Sequence, residues 1–563
     1  MKRVFTFVFA LTLITSASAS QPEKVKPVKN IILMVTDGTS ISAVSTARWL
    51  KVYRTGDATA PVTLNIDPWL CGYVRTCNSD APIGDSAPTT SCYVTGHLSR
   101  AGYVSTYPPY KGKDNIEPVD STRAYAPMAS ILEAGRQLQG KALGMVFTCQ
   151  YPHATPADCS AHYYNRGAEQ LIADQIVHNG FDVVIGGGNY YLTSESESYL
   201  RANGTKVYRN DISGMRSDRS NKMWALYGDV DMDYDIDRNP EEQPSLAEMT
   251  KTAIDKLSKD KDGFFLLVEG SKVDWAAHAN DPAALPNEFL AFDEACGVAL
   301  DFAQRDGNTV VIMVADHGNS GFSLGRRDLG DYGHKSLETL FSQVNKFKRT
   351  ADGMEMLINA QPFDSLRSLF KKYEGIDLTP DEFNLIVNCK DYKQSPIPVE
   401  MRKSDKTSPL YSSYLSGIIT KILTKYTPFG WTTGGHTGED VFLAVYNPNN
   451  QRPLGYTTNI QLAHYIQKLW GMHGKMDSFT DQIFARHKEV FAGFNMDIKK
   501  SEKENVWPVL TVTNPANGKS LTAKAFSNII EVGGKQIQLP SVITYVDRND
   551  MFYLPKDLNK YLK

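Results

Sequence analysis

Five stretches of the chain run apolar without alternation and then stop at a polar residue or a glycine. They are NIILMVTDG, reaching Asp37; GKALGMVFTCQ; FDVVIGGG; GFFLLVEG, reaching Glu269; and NTVVIMVADHG, reaching Asp316. A strand exposed on one face alternates apolar and polar residues, so uninterrupted runs bounded by glycine predict strands buried on both faces. Between them lie helical patterns, SLAEMTKTAIDKLSKD and PNEFLAFDEACGVALDFAQRDG, the second stopping at Gly307. Alternation of strand and helix predicts an α/β fold with a large, mostly parallel central sheet and helices on both faces. In such sheets ligands bind beyond the carboxyl ends of the strands.

The pattern changes twice. Residues 318–432 carry amphipathic stretches such as SLETLFSQVNKFKR and PFDSLRSLFKKYEG, with a Pro- and Lys-rich passage and no buried-strand run. This segment reads as a helical insertion, serving as a lid or a dimer contact, which divides the core into 28–317 and 433–500. From 501 to 563 short alternating segments, VLTVTNPANGK, NIIEVGGKQIQL and VITYVD, are broken by Asn-Gly and Gly-Gly turns and predict a small β-rich C-terminal appendage.

Composition narrows the picture. The 563 residues carry 22% charged residues and a formal net charge of −3, with no basic block of the kind nucleic acid requires. The first 20 residues combine Lys2 and Arg3, an apolar run and an Ala17-Ser18-Ala19 cleavage pattern, which reads as a signal peptide. The expectation is export to the periplasm or the extracellular space, with no membrane span. Export permits disulfides, and among the seven cysteines Cys71 with Cys77 and Cys149 with Cys159 are the pairs nearest in sequence. The acidic run DVDMDYDIDRNPEE has the alternation of a calcium loop, but Tyr234 and Pro240 stand where an EF-hand needs Gly and Glu, so a solvated turn is the expectation.

The chemistry-bearing residues gather at the strand ends: Asp37, Glu269, Asp274 and His278 in EGSKVDWAAHAND, Asp316 and His317 in VADHG, and His436 in GGHTGED. Singly, each is an ordinary helix cap or a satisfied polar residue. Together on one sheet edge, their carboxylates repel and would be protonated unless cations neutralise them. His and Asp donors suit zinc, and carboxylate with hydroxyl donors suits magnesium. Upstream, Asp85 and Ser86 in PIGDSAPTTSCYVTGH read in isolation as the cap of a helix whose first turn holds Pro88.

In order along the chain, TDG, GDSAPTTSCYVTG, HATPADCSAHYYNR, PSLAEMT, VEGSKVDWAAH, VADHG and GGHTG resemble the alkaline phosphatases. The resemblance runs from about residue 28 to Gly318 and resumes near Thr433. It implies a hydrolase of phosphate monoesters that releases inorganic phosphate, with two zinc ions and one magnesium. Asp274, His278 and His436 would hold the first zinc, and Asp37, Asp316 and His317 the second. Asp37, Thr155 and Glu269 would hold the magnesium. Ser86, bound to the second zinc, would be the nucleophile and form a phosphoserine; Arg166 would clasp the phosphate, with Asp85 orienting it. Homodimerisation is a further implication.

Two positions depart from the best-known bacterial pattern. His153 stands where some members have Asp near the third metal, and Trp275 where some have Lys. The alternatives are a phosphodiesterase or sulfatase of the same metal-dependent superfamily, and a non-catalytic exported protein that binds zinc or phosphate.

Overall fold

The computed structural model describes residues 24–563 except 58, 61 and 62. The signal-peptide reading of residues 1–20 lies outside the described residues. At its centre is a ten-stranded sheet. In chain order its strands are β1 (Asn30–Thr36), β2 (Leu70–Arg75), β3 (Ala142–Gln150), β4 (Val183–Gly187), β5 (Lys206–Arg209), β6 (Met223–Tyr227), β7 (Phe264–Gly270), β8 (Thr309–Ala315), β9 (Val441–Tyr446) and β10 (Gly455–Thr458). Across the sheet they lie in the order β10-β2-β9-β8-β1-β7-β3-β4-β6-β5. Only β9 runs antiparallel to its neighbours among these strands.

Every residue of β1, β7 and β8 is buried, as their unbroken apolar runs require. Helices Leu246–Leu257 and Ala284–Asp306 pack on one another and against these strands. The register places Val35 beside Glu269 and Thr36 beside Ala315, so Asp37, Glu269 and Asp316 leave the sheet side by side. That edge is where parallel strands end at the same level.

Residues 318–432 are mainly helical, including Ala351–Ala360, Leu366–Glu374, Pro380–Val387 and Leu415–Lys425, around a separate apolar cluster that contains Met354, Phe370, Ile386 and Ile419. The segment departs and returns on two short antiparallel pairs, Ser323–Leu324 with Phe429–Gly430 and Gly318–Asn319 with His436–Thr437. The second pair carries His436 to the sheet edge.

The C-terminal region forms a five-stranded antiparallel sheet that begins at Asn495, earlier than the change of pattern at 501. Its inward residues Leu510, Val512, Leu521 and Ile530 join the main core, so it is packed onto the molecule and not carried on a linker.

All seven cysteines are free thiols. The two sequence-neighbour pairings fail for geometric reasons. Cys71 and Cys77 are separated by most of strand β2, and four strand steps from Cys71 to Arg75 at about 3.3 Å each already exceed disulfide reach. Cys149 lies in β3, with its thiol on Glu269, whereas Cys159 follows helix Ala154–Asp158 and turns to the Thr155 carbonyl. The acidic run 229–242 is a turn in which three carboxylates are taken by protein groups: Asp231 pairs with Lys272, Asp235 with Arg238, and Asp237 accepts from Thr350.

Candidate active site

Ser86 is the first residue of helix Ser86–Thr95. Asp85 occupies the N-cap position but its side chain does not cap. Its Oδ1 instead accepts from Arg166 at 2.6 Å and its Oδ2 from the Gly102 amide at 2.7 Å. The helix N-terminus is therefore left open, with free N–H groups and partial positive charge facing the site. Ser86 Oγ lies 3.2 Å from Asp37 Oδ1 and 3.1 Å from His317 Nε2.

Three clusters bring metal-ligating atoms within 4.8 Å of one another: Asp274, His278 and His436; Asp37, Asp316 and His317; and Cys149, His153 and Glu269. The first two are the sets expected for zinc. Asp274 and His278 are four apart on helix Lys272–Ala279 and so share a face. Backbone carbonyls fix all three imidazoles: Nδ1 of His278 donates to Gly434, that of His436 to Gly84, and that of His317 to Gly318. Each Nε2 is thereby turned toward the site, the arrangement in which histidine serves as a metal ligand. Gly38, at φ +54°, is forced, because a Cβ there would fall 2.0 Å from Asp274 Oδ1.

The donor set fits cations. Asp37 Oδ2, Asp316 Oδ2, Glu269 Oε1 and His153 Nδ1 are buried and have no hydrogen-bond partner. Orphaned buried carboxylate oxygens are costly unless a proton or a cation meets them. The protein's own charges show the strain. Burial, and then the charge of Asp37, raises Glu269 and Asp316 well above the carboxylate range and Asp274 to about 6. Burial opposes the ionised form of Asp37 as well, but the hydrogen bond and charge of His317 hold it below the usual range. Burial and the charge of His317 push His436 down to about 4.

Arg166 donates to Asp85 and approaches His153 Nε2 at 3.1 Å, so its guanidinium is held between two side chains. Trp275 is half-buried and packs edge-on against His153, ring centroids 5.8 Å apart. Thr155 is buried, with Oγ1 3.4 Å from Thr90 Oγ1.

The family described as Alkaline phosphatase matches residues 28–472. The chain belongs to the alkaline phosphatase family. Alkaline phosphatase 3 of Bacillus subtilis is 30% identical over 469 residues, which cover 81% of this chain and 92% of that protein. The repressible alkaline phosphatase of Saccharomyces cerevisiae is 27% identical over 77% of this chain and 78% of its own. Among solved structures, the cold-active alkaline phosphatase of a Shewanella species aligns with a TM-score of 0.65 at 23% identity, covering 78% of this chain and 99% of that one. That of Thermus thermophilus aligns with a TM-score of 0.64 at 21% identity, over 83% and 96%. The fold is shared with both, and the chain is a phosphomonoester hydrolase of a metal-dependent family.

The matched span runs through residues 318–432, the segment left outside the sequence resemblance. Within this alkaline phosphatase site, three contributors escaped the sequence reading. Asn319 Nδ2 donates to Asp274 Oδ1 at 2.7 Å; its position two residues after His317 was the available signal. Lys272 is buried between Asp231 and the rings of Tyr234 and Trp275. Cys149 lies against Glu269.

Proposed function

We propose that the protein is an exported alkaline phosphatase that hydrolyses phosphate monoesters through a phosphoserine on Ser86, with two zinc ions and a third divalent cation. Asp274, His278 and His436 would hold one zinc and Asp37, Asp316 and His317 the other; the oxygens of Asp37, Thr155 and Glu269 are donors of the magnesium type. When bound, such ions supply positive charge and Lewis acidity at the attacking and leaving oxygens.

The chain's residues account for the remaining steps. Ser86 Oγ, positioned by Asp37 and His317, attacks phosphorus as the alcohol departs, and water later releases phosphate and restores the hydroxyl. Arg166 offers a planar fork for two phosphate oxygens, held in orientation by the Asp85 carboxylate. The uncapped N-terminus of helix Ser86–Thr95 adds N–H groups suited to an anion. Uncatalysed hydrolysis of phosphate monoesters calls for accelerations of up to ~10²¹-fold, so concentrated positive potential is the main requirement.

The observation carrying this reading is Ser86 Oγ within 3.2 Å of Asp37 and 3.1 Å of His317 at an uncapped helix start beside Arg166. The test is hydrolysis of p-nitrophenyl phosphate by the mature protein and its Ser86→Ala variant, each chelated and then resupplied with Zn²⁺ and Mg²⁺. Metal-dependent turnover that collapses in the variant is expected. A remetallated Ser86→Ala variant as active as the remetallated wild type would remove the phosphoserine.

A further inference from the structure

The third cluster holds a donor that a magnesium site does not use. Cys149 is the penultimate residue of β3 and is fully buried. Strands β3 and β7 pair in parallel as far as Val146 beside Val268, and beyond the last paired residues the Cys149 side chain reaches back to Glu269. The Cys149 Sγ–H points to Glu269 Oε2 at 3.5 Å. Ser271 Oγ accepts the amides of Thr148 and Cys149 at 3.2 Å each, which pins the backbone at this point.

Two further atoms converge on the same place without partners. Glu269 Oε1 and His153 Nδ1 are both buried and accept or donate no hydrogen bond. Cys149, His153 and Glu269 present one sulfur, one nitrogen and one oxygen within 4.8 Å of one another. Thr155 Oγ1, the hard donor expected here, has a neighbouring hydroxyl on Thr90 at 3.4 Å. Thiolate and imidazole favour zinc or cobalt, whereas magnesium takes oxygen ligands and retains water.

We propose that the third cation site is a zinc-class site in which the Cys149 thiolate is a ligand together with His153 and Glu269. This rests on the metal-dependent reading above and changes its third ion. On binding, the Sγ–H bond breaks as the sulfur–metal bond forms and that proton passes to solvent, while the Nδ1 proton of His153 is given up and the ring takes one up at Nε2 in place of the hydrogen bond from Arg166, with no change of oxidation state.

The test uses the holoprotein prepared with both Zn²⁺ and Mg²⁺ present. Elemental analysis of the wild type should give three equivalents of zinc, and zinc-edge X-ray absorption should show a sulfur neighbour at about 2.3 Å. In Cys149→Ser the sulfur shell should vanish and magnesium should replace one zinc, with circular dichroism reporting that the variant is folded. Cobalt substitution gives a second readout: a thiolate charge-transfer band in the wild type that is absent from Cys149→Ser and also from Cys149→Ala. A wild type that binds two zincs with one magnesium, hydrolyses p-nitrophenyl phosphate and lacks the sulfur shell overturns this proposal while leaving the phosphatase reading intact. A wild type that takes up no zinc overturns both.

Discussion

The Nε2 atoms of His278 and His436 face each other across 3.0 Å. Neither can donate to the other, because each ring has its Nδ1 proton committed to a backbone carbonyl, at Gly434 and Gly84 respectively. Two lone pairs are thus held together, with the Asp274 carboxylate 3.4 Å from His278 and 3.8 Å from His436. Three electron-rich donors converging on a point are repulsive alone and favourable around a cation. The fold builds this arrangement from segments far apart in sequence: one helix after β7 and the returning arm of the 318–432 segment.

His436→Ala should therefore act oppositely on the metal-free and metal-loaded forms. The loaded enzyme should lose one zinc equivalent, and kcat/KM should fall by ~100-fold or more, since even residues behind the ligands are worth 10–100-fold. The metal-free protein should melt no lower than the metal-free wild type, because a repulsive contact has gone. Elemental analysis and paired melting curves check this; a loss of metal-free stability as large as that of the loaded form would refute the repulsion.

Arg166 and Asp85 form the second long-range relationship, an ion pair at 2.6 Å with both side chains only partly accessible. Arg166→Ala should lower kcat/KM for p-nitrophenyl phosphate by about 10–100-fold, the worth of charge-assisted hydrogen bonds of about 1.5–3 kcal/mol. Arg166→Lys should recover only part of this, because a point charge cannot pair two oxygens at once. Asp85→Asn should raise KM more than it lowers kcat. Full recovery by lysine would show that charge alone matters there.

Much of this was legible in the sequence, for a physical reason. Strands β1, β7 and β8 are buried on both faces, so NIILMVT, FFLLVEG and TVVIMVA stand out as unbroken apolar runs. The edge-side strands β2 and β10 are largely solvent-accessible, with sequences LCGYVR and GYTT, and carry no such signal. The site residues at strand ends were readable because each follows a run. Cys149 was not: its partner is set by the pairing of β3 with β7, and the nearest sequence signal, Cys159, pointed elsewhere. Asn319 and Lys272 likewise gain their roles only from side chains that the fold delivers.

Trp275 puts a neutral ring against His153, and Lys272, whose Nζ lies 5.0 Å from that ring, is paired with Asp231. Its charge is therefore already compensated. Trp275→Lys should tighten the inhibition constant for inorganic phosphate several-fold, an added charge near a surface being worth up to about 4 kcal/mol at 4 Å before screening. An unchanged or weaker constant would dismiss the idea.

Glu374 ends helix Leu366–Glu374 fully buried, and neither carboxylate oxygen has a partner. Burial first, then the charges of Asp281 and Asp237, raise it from its ordinary 4.5 to about 9, against the opposing pull of Arg349. The folded protein then keeps a proton that the unfolded chain releases. The resulting stability is complete below pH 4.5 and is lost as pH rises through 9. The slope in that window is at most about 1.4 kcal/mol per pH unit, giving a total on the order of a few kcal/mol. Glu374→Gln cannot titrate, so its stability relative to the wild type should climb from pH 5 toward 9 and then level off. Chemical denaturation of both proteins across that range measures the difference directly. A difference that stays constant with pH would mean that Glu374 is ionised in the folded state, with its charge met by Arg349.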